Sequence, residues 1–167
     1  MGKREALLLI SPLLGVLVLW TSLVLALGTT HPFYVVEGNS MEPTLSDGDL
    51  VMVKKVDPED VKVGDVIVFH EPGSESTVII HRVVGKVERD GRVFFQTKGD
   101  NNDVQDPWLV SEEDLIGVVV GGSRPLKFPL LGKLALFLKT AYGKALVIVL
   151  YALFALEVLM KRGGERC

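Results

Sequence analysis

Cysteine is almost absent from this chain of 167 residues, because the only one, Cys167, is the last residue. With no second cysteine, an intrachain disulfide is excluded, and so is a zinc site built on cysteine pairs. Aromatic residues are also scarce, at 7%, so aliphatic side chains carry most of the 48% hydrophobic content. This aliphatic excess lies mainly at the two ends of the chain and leaves a more ordinary middle.

A strongly basic surface is missing as well. The 18 lysine and arginine residues are outnumbered by 21 acidic residues, which gives a net charge of −3. Nucleic-acid-binding domains usually carry a basic patch or stripe, and this sequence has no dense run of lysine and arginine. We therefore expect no nucleic acid among the partners.

Metal-binding motifs are absent too. The acidic loop that begins at Asp100 fails as a calcium loop, because Val104 and Gln105 occupy positions 5 and 6 and Ser111 occupies position 12. A calcium loop of the EF-hand type needs an oxygen ligand, glycine and glutamate at those places. There is no His-Glu-x-x-His pattern. The sequence predicts no metal and no cofactor, and turn capping is an alternative role for the loop aspartates.

The N-terminal end contains a long uncharged run. Residues 7–27 carry no charge, and as a helix they would reach ~31 Å, enough for a hydrocarbon core of ~30 Å. We expect residues 1–27 to form an N-terminal membrane anchor. The alternative is a cleavable signal peptide with Lys3 and Arg4 as its basic region, but the apolar part of such peptides is usually shorter.

The C-terminal end contains a second apolar run, residues 145–160, which is interrupted by Glu157. We expect residues 145–167 to form a transmembrane helix with a basic tail of Lys161, Arg162 and Arg166. A buried or membrane-surface helix is the alternative. Residues 126–144 are apolar with scattered lysines and are predicted to be a linker or a membrane-surface segment. Because basic residues flank the outer ends of both runs, both termini are expected in the cytoplasm and the middle on the other side.

The middle of the chain, residues 28–125, is predicted to be a β domain. Strand-like patterns occupy residues 33–36, 49–56, 64–70, 77–88, 92–99 and 115–122. Asp90-Gly91 between two of these runs is typical of a tight hairpin. The expected architecture is a small antiparallel barrel or pair of sheets, flanked by N- and C-terminal transmembrane helices.

Three polar positions in this domain suggest chemistry. Ser40 follows the first strand, His81 interrupts an apolar strand face, and Asp100 and Asp106 lie in the acidic loop. A serine hydroxyl becomes a nucleophile when a histidine takes its proton and a carboxylate orients that histidine. The alternative for His81 is a structural histidine whose ring nitrogens have partners. The residues alone leave this choice open.

Five blocks of sequence carry a resemblance to a known family. They are GNSMEPTLSDGDLVMV (38–53), VKVGDVIVF (61–69), IIHRVVGK (79–86), TKGDNNDVQD (97–106) and LIGVVVG (115–121). In this order, after an N-terminal apolar run, they make the chain resemble type I signal peptidases of the archaeal and endoplasmic-reticulum kind.

The resemblance implies roles for individual residues. Ser40 would be the nucleophile, His81 the general base and Asp106 the acid that orients it, while Asp100 would be an auxiliary acid that orders the loop. The Ser40 backbone N–H would bind the oxyanion. Asn39 stands where relatives commonly have glycine, and it is a weaker second donor.

The implied function is that of a membrane-anchored serine endopeptidase that removes signal peptides from exported preproteins. Cleavage would follow small residues at the first and third positions before the cut, with the peptide extended beside a strand and with Ile79 and Val83 near it. Signal peptides, membrane lipid and the translocation machinery would be its partners, at a cell membrane. The alternatives are a non-catalytic, membrane-tethered module that binds extended peptides and a peptidase with a narrower task.

Overall fold

The computed structural model describes residues 3–74 and 76–164, so Arg166 and Cys167 lie outside the described residues. Eight strands and three α-helices follow one another along the described chain, together with one 3-10 turn, Pro58–Asp60. The elements are α1 (Lys3–Leu27), β1 (Phe33–Val35), β2 (Leu50–Lys54), β3 (Val66–His70), β4 (Val78–Arg89), β5 (Arg92–Lys98), β6 (Leu109–Ser111), β7 (Leu115–Val119), β8 (Lys127–Phe128), α2 (Leu131–Lys139) and α3 (Ala141–Gly164).

The strands form an antiparallel sheet that curves into a half-barrel, which confirms the predicted mainly β fold. Their order is β1-β2-β7-β3-β4-β5-β6, and β8 pairs with β2 outside this path. All strand pairs are antiparallel, and β4 and β5 are joined by the two-residue hairpin that this arrangement allows. The sheet belongs to a compact unit that runs from Leu27 to Lys133.

The central strand β3 is covered on both faces. Val66 and Val68 belong to one cluster of buried side chains, and Ile67 and Phe69 belong to the other. Side chains of a strand alternate between its two faces, so this continuous apolar run fills a core on each side of the sheet. The neighbouring strand β4 is therefore held in a fixed position, and β4 carries His81.

The hairpin between β4 and β5 has the tight turn that Asp90-Gly91 predicted. Asp90 has φ +52° and Gly91 has φ +72°, and positive φ at both central residues is what the favoured two-residue hairpin turn requires. Arg89 pairs with Arg92 across the turn. An irregularity in the register between Val83 and Gly85 then shifts the pairing by one residue and places Thr97 opposite Val83, two residues from His81 on the adjacent strand.

Two short strands were missed by sequence reasoning. β6 has three residues and β8 has two, which is too short for a readable alternation. They are strands only because of their partners, since β6 pairs with Phe94–Gln96 and β8 pairs with residues 50 and 51 of β2. β8 lies in the segment that was expected to be a linker or a membrane-surface segment.

Two of the described helices are long and apolar enough to cross a membrane. The spans are Ile10–Leu27, with a mean hydropathy of 2.2, and Ala141–Val158, with a mean hydropathy of 1.8. Both spans lie in the second compact unit, which comprises the chain up to Ala26 and from Leu134 onward. Only Leu27, the last residue of the first span, is assigned to the β unit. α3 begins at Ala141, so residues 141–144 join the apolar run of residues 145–160 in one helix.

Candidate active site

A tight turn after β1 presents Ser40. Gly38 has φ +87°, a conformation that glycine adopts without strain, and its N–H donates to Asp47 Oδ1 at 3.2 Å. On the other side of Ser40, Met41 and Leu45 are buried and the Leu45 N–H donates to the Met41 carbonyl at 2.9 Å. The serine is thus fixed between a glycine turn and two core side chains.

Ser40, His81 and Asp106 form a continuous chain of hydrogen bonds. His81 Nε2 lies 3.1 Å from Ser40 Oγ, and His81 Nδ1 lies 2.8 Å from Asp106 Oδ2. The side chains of His81 and Asp106 are 10% and 8% exposed, so the pair is largely shielded from water. A serine and an imidazole within hydrogen-bond reach, with the imidazole oriented by a third group, have the geometry of an activated nucleophile.

Asp100 is not part of this series of hydrogen bonds and is paired with Arg82 instead. Arg82 Nε donates to Asp100 Oδ1 at 2.7 Å, and Arg82 Nη2 donates to Oδ2 at 2.6 Å. The hydrogen bonds from Arg82 are the largest influence on the carboxyl and hold the pKa of Asp100 below its usual value. The same bonds raise the pKa of Arg82. The residues alone left open whether Asp100 or Asp106 accompanies His81. In the structure Asp106 is bonded to His81 and Asp100 is bonded to Arg82.

Arg82 also connects several loops around the site, a role that sequence reasoning missed. Its Nη1 donates to the carbonyl of Gly64 at 2.6 Å and to that of Ser123 at 3.1 Å. Its Nη2 lies 3.5 Å from Thr44 Oγ1 in the segment after the nucleophile turn. A charged residue that interrupts the apolar run of β4, directly after His81, was the available signal.

The acidic loop packs closely against the Ser40 turn. Asn101 donates its backbone N–H to the Ser40 carbonyl at 2.8 Å and its side-chain amide to the Asn39 carbonyl at 3.2 Å. Gly99 lies so near that a Cβ at this position would be 2.6 Å from the Ser40 carbonyl oxygen. The loop thus holds the turn by bonds to the backbone carbonyls of Ser40 and Asn39. Asn39 itself is exposed.

A groove of about 560 Å³ opens beside Ser40 and His81. Polar and apolar surface contribute about equally to it, and it is lined by residues of β1, the nucleophile turn and the start of β4: Tyr34, Val35, Val36, Glu37, Ser40, Met41, Ser76, Val78, Ile79, Ile80 and His81. Ile79 lies in this wall. The expectation for Val83 is corrected, because Val83 is 1% exposed and packs in the core cluster with Ile67 and Phe95.

Another group of ionisable residues lies apart from this site. His70, Glu71, Glu113 and Asp114 border a cavity of about 640 Å³ at the end of β3. Asp114 accepts a hydrogen bond from Ser111 Oγ at 2.6 Å. Among the residues that the structure describes, no three histidine, cysteine or acidic side chains are arranged to hold a metal ion.

Comparison with known proteins identifies related chains. A family model described as signal peptidase, peptidase S26, matches residues 4–91. The chain is 33% identical over 128 residues to the signal peptidase complex catalytic subunit SEC11 of Metarhizium robertsii, covering 72% of this chain and 71% of that one. It is 37% identical over 97 residues to the subunit SEC11C of Homo sapiens, covering 58% of this chain and 50% of that one.

These findings define first a class and then a family. The class is that of the serine-type peptidases, to which the matching family model points. The chain belongs to the signal peptidase family, peptidase S26, and within it to the archaeal and endoplasmic-reticulum type, which confirms the resemblance seen in the sequence. The chain spans about half the length of the mammalian relatives that it matches.

Proposed function

We propose that this protein is a membrane-anchored serine endopeptidase that removes signal peptides from exported preproteins. The observation that carries the proposal is the hydrogen-bonded chain Ser40–His81–Asp106 at the edge of a groove. Its relatives are named as catalytic subunits of signal peptidase complexes. Partner subunits and the translocation machinery are accordingly proposed partners, besides the signal peptides themselves.

The proposed reaction is acyl transfer through a covalent intermediate. Ser40 Oγ attacks the carbonyl carbon of the scissile bond while its proton passes to His81 Nε2, 3.1 Å away. Asp106 accepts the hydrogen bond from Nδ1–H and stabilises the imidazolium that forms. His81 then gives its proton to the leaving amine, and a water molecule activated by His81 hydrolyses the acyl-enzyme.

The negative charge that develops on the carbonyl oxygen needs a hydrogen-bond donor. We assign the Ser40 backbone N–H to this role, since in the described chain no backbone carbonyl is bonded to it. Asn39 is the proposed second donor, because its side chain is exposed next to Ser40. One such donor typically contributes ~10²–10³ in rate, so full kcat in an Asn39→Gly variant would remove Asn39 from this role.

The substrate is proposed to bind as an extended strand in the groove. Within the described residues, Tyr34 and Val35 of β1 pair only with β2, and Val78–His81 of β4 pair only with β3, so both of these segments have an open edge. Backbone groups alternate between the two sides of an antiparallel strand, which directs those of Val78 and Ile80 to the open edge of β4. An extended peptide would gain backbone hydrogen bonds there and would place alternate side chains against the wall.

The groove wall gives the basis for a preference for small residues. Side chains at the first and third positions before the cut point the same way in an extended peptide. Tyr34, Met41 and Ile79 contribute to the wall that they would face. Phenylalanine in place of alanine at the first position is therefore expected to lower kcat/KM by ~10²-fold or more.

The experiment that tests both the activity and this preference uses the full chain in detergent with a labelled preprotein. Mass spectrometry of the products locates the cut. The matched control is the same alanine-to-phenylalanine change at the second position, whose side chain points away from the wall. Equal cleavage of the two variant preproteins would contradict the proposed wall, and a cut outside the signal-peptide junction would contradict the proposed function.

The proposed topology has two membrane spans, the first within residues 1–27 and the second beginning at Ala141, where α3 starts, rather than at residue 145 as the sequence predicted. The β domain, residues 28–125, would lie on the extracytoplasmic side, and residues 126–140 would link it to the second span. Lysine and arginine near the outer ends of both apolar runs favour this orientation. Both termini would then be cytoplasmic.

Cys167 offers a direct test of this orientation, because it is the only cysteine in the sequence. A membrane-impermeant maleimide is expected to label it in inside-out vesicles and to leave it unlabelled in sealed right-side-out vesicles. The control is the same reaction after detergent, where both preparations should label equally. Labelling from the extracytoplasmic side would reverse the proposed C-terminal orientation.

A further inference from the structure

The loop that carries Asp106 would not fix this carboxylate without help. Its neighbours Asp103, Val104 and Gln105 are exposed, with Val104 at 75%. Exposed loop residues of this kind have few packing contacts and move more than strands do. The Asp106 side chain is nevertheless only 8% exposed and points at His81. Some contact outside the loop must therefore hold it.

Strand β5 supplies that contact through two consecutive residues. The Asp106 N–H donates to the Thr97 carbonyl at 2.9 Å, and the Gln96 side-chain amide donates to the Asp106 carbonyl at 2.7 Å. Thr97 Oγ1 donates to Asp106 Oδ2 at 2.6 Å, and Thr97 is fully buried. Both the backbone and the carboxylate of Asp106 are thus attached to the rigid sheet.

Thr97 and His81 share one oxygen of the carboxylate. Oδ2 accepts from Thr97 Oγ1 at 2.6 Å and from His81 Nδ1 at 2.8 Å. Two donors on one oxygen fix both its position and the rotation of the carboxylate. The bond from Thr97 therefore sets where the imidazole nitrogen finds its acceptor.

We infer that Thr97 is a positioning residue of this peptidase, acting through Asp106 to hold the His81 ring in line with Ser40. The inference rests on the proposed function. Val93, Phe95 and Thr97 lie on the buried face of β5, so a threonine stands where the strand pattern calls for an apolar residue. A buried hydroxyl needs a partner, and here the partner is the acid of the proposed triad.

Thr97→Val tests the inference, because valine keeps the shape and removes only the hydroxyl. We expect kcat for preprotein cleavage to fall about 10- to 100-fold, the range that a hydrogen bond to a charged group supports. KM should stay within about twofold, since Thr97 does not line the groove. Thr97→Ser, which restores the hydroxyl, should recover most of the lost kcat.

Thr77→Val is the matched control, because Thr77 is exposed and, within the described residues, its hydroxyl bonds only to Ser74 Oγ. It is expected to cleave like wild type. Wild-type kcat in Thr97→Val, or failure of Thr97→Ser to recover it, would overturn the role of Thr97. Thermal melts show whether Thr97→Val is folded. If it is not, Thr97→Ala replaces it: below the melting temperatures of both variants, Thr97→Ala should lose kcat and Thr97→Ser should keep it. If Ser40→Ala cleaves as well as wild type, the proposed function fails instead.

Discussion

Replacing Ser40 by alanine is expected to lower preprotein cleavage by about 10³-fold or more. The hydroxyl lies 3.1 Å from His81 Nε2 at the edge of the groove, and alanine leaves the imidazole with no atom to activate. The fold should not change, because Ser40 is held through its backbone carbonyl by the Asn101 N–H at 2.8 Å. The melting temperature of the variant should therefore stay close to that of wild type.

The measurement compares initial rates of cleavage by purified wild type and variant at equal, folded concentration. Ser46→Ala is the matched control, since Ser46 lies in the same segment and both of its described hydrogen bonds, to the side chain and to the N–H of Asp49, use its backbone atoms. If Ser40→Ala still cuts at the same bond, Ser40 is not the nucleophile. If well-folded wild type never cuts, the protein is better explained as a membrane-tethered module that binds extended peptides.

Much of the β domain could be predicted from the sequence because its signals are local. Alternating side chains marked the long strands, and Asp90-Gly91 marked the hairpin by the backbone angles that those residues tolerate. β6 and β8 depend on distant partner strands rather than on their own three and two residues. Such short elements leave no periodic signal.

The site was harder to predict because its decisive contacts join residues far apart in the chain. Ser40 and His81 were recognised by residue type and by the family resemblance, but only the fold brings them to 3.1 Å. Sequence reasoning put Val83 beside the groove because it shares a strand face with His81. The structure shows that this face turns into the core at Val83. Arg82 and Thr97 were missed since their hydrogen bonds are tertiary.

The comparison of Asp106→Asn with Asp100→Asn should separate chemistry from stability. Asp106→Asn is expected to lower kcat by ~10³–10⁴-fold, because an amide cannot hold the imidazole tautomer and stabilise the imidazolium as a carboxylate does. Asp100→Asn should keep kcat within about tenfold, since the Asp100 carboxylate is bonded to Arg82 rather than to His81. Single-turnover cleavage rates at pH 7 measure the difference.

Asp100→Asn should instead lose folding stability, by about 1–3 kcal/mol at pH 7, because Arg82 then lacks its charged acceptors. The pKa of Asp100 is lowered in the folded protein, mainly by Arg82. A carboxyl with a lowered pKa stabilises the fold above the ordinary aspartate pKa of ~3.9 and loses that effect as the pH falls through its own pKa. The variant should therefore melt at a lower temperature than wild type at pH 7, and this difference should shrink toward zero at acidic pH.

These two readouts decide which aspartate belongs to the proposed triad. Loss of cleavage in Asp106→Asn with normal stability, together with an acid-sensitive loss of stability in Asp100→Asn, is the pattern that the hydrogen bonds support. The opposite pattern would mean that Asp100 leaves Arg82 and reaches His81 when substrate binds. Because Asn101 joins the Asp100 loop to the Ser40 carbonyl at 2.8 Å, such a movement would also displace the nucleophile. We therefore do not expect one conformation in which Asp100 has left Arg82 while Ser40 and His81 keep their hydrogen bond.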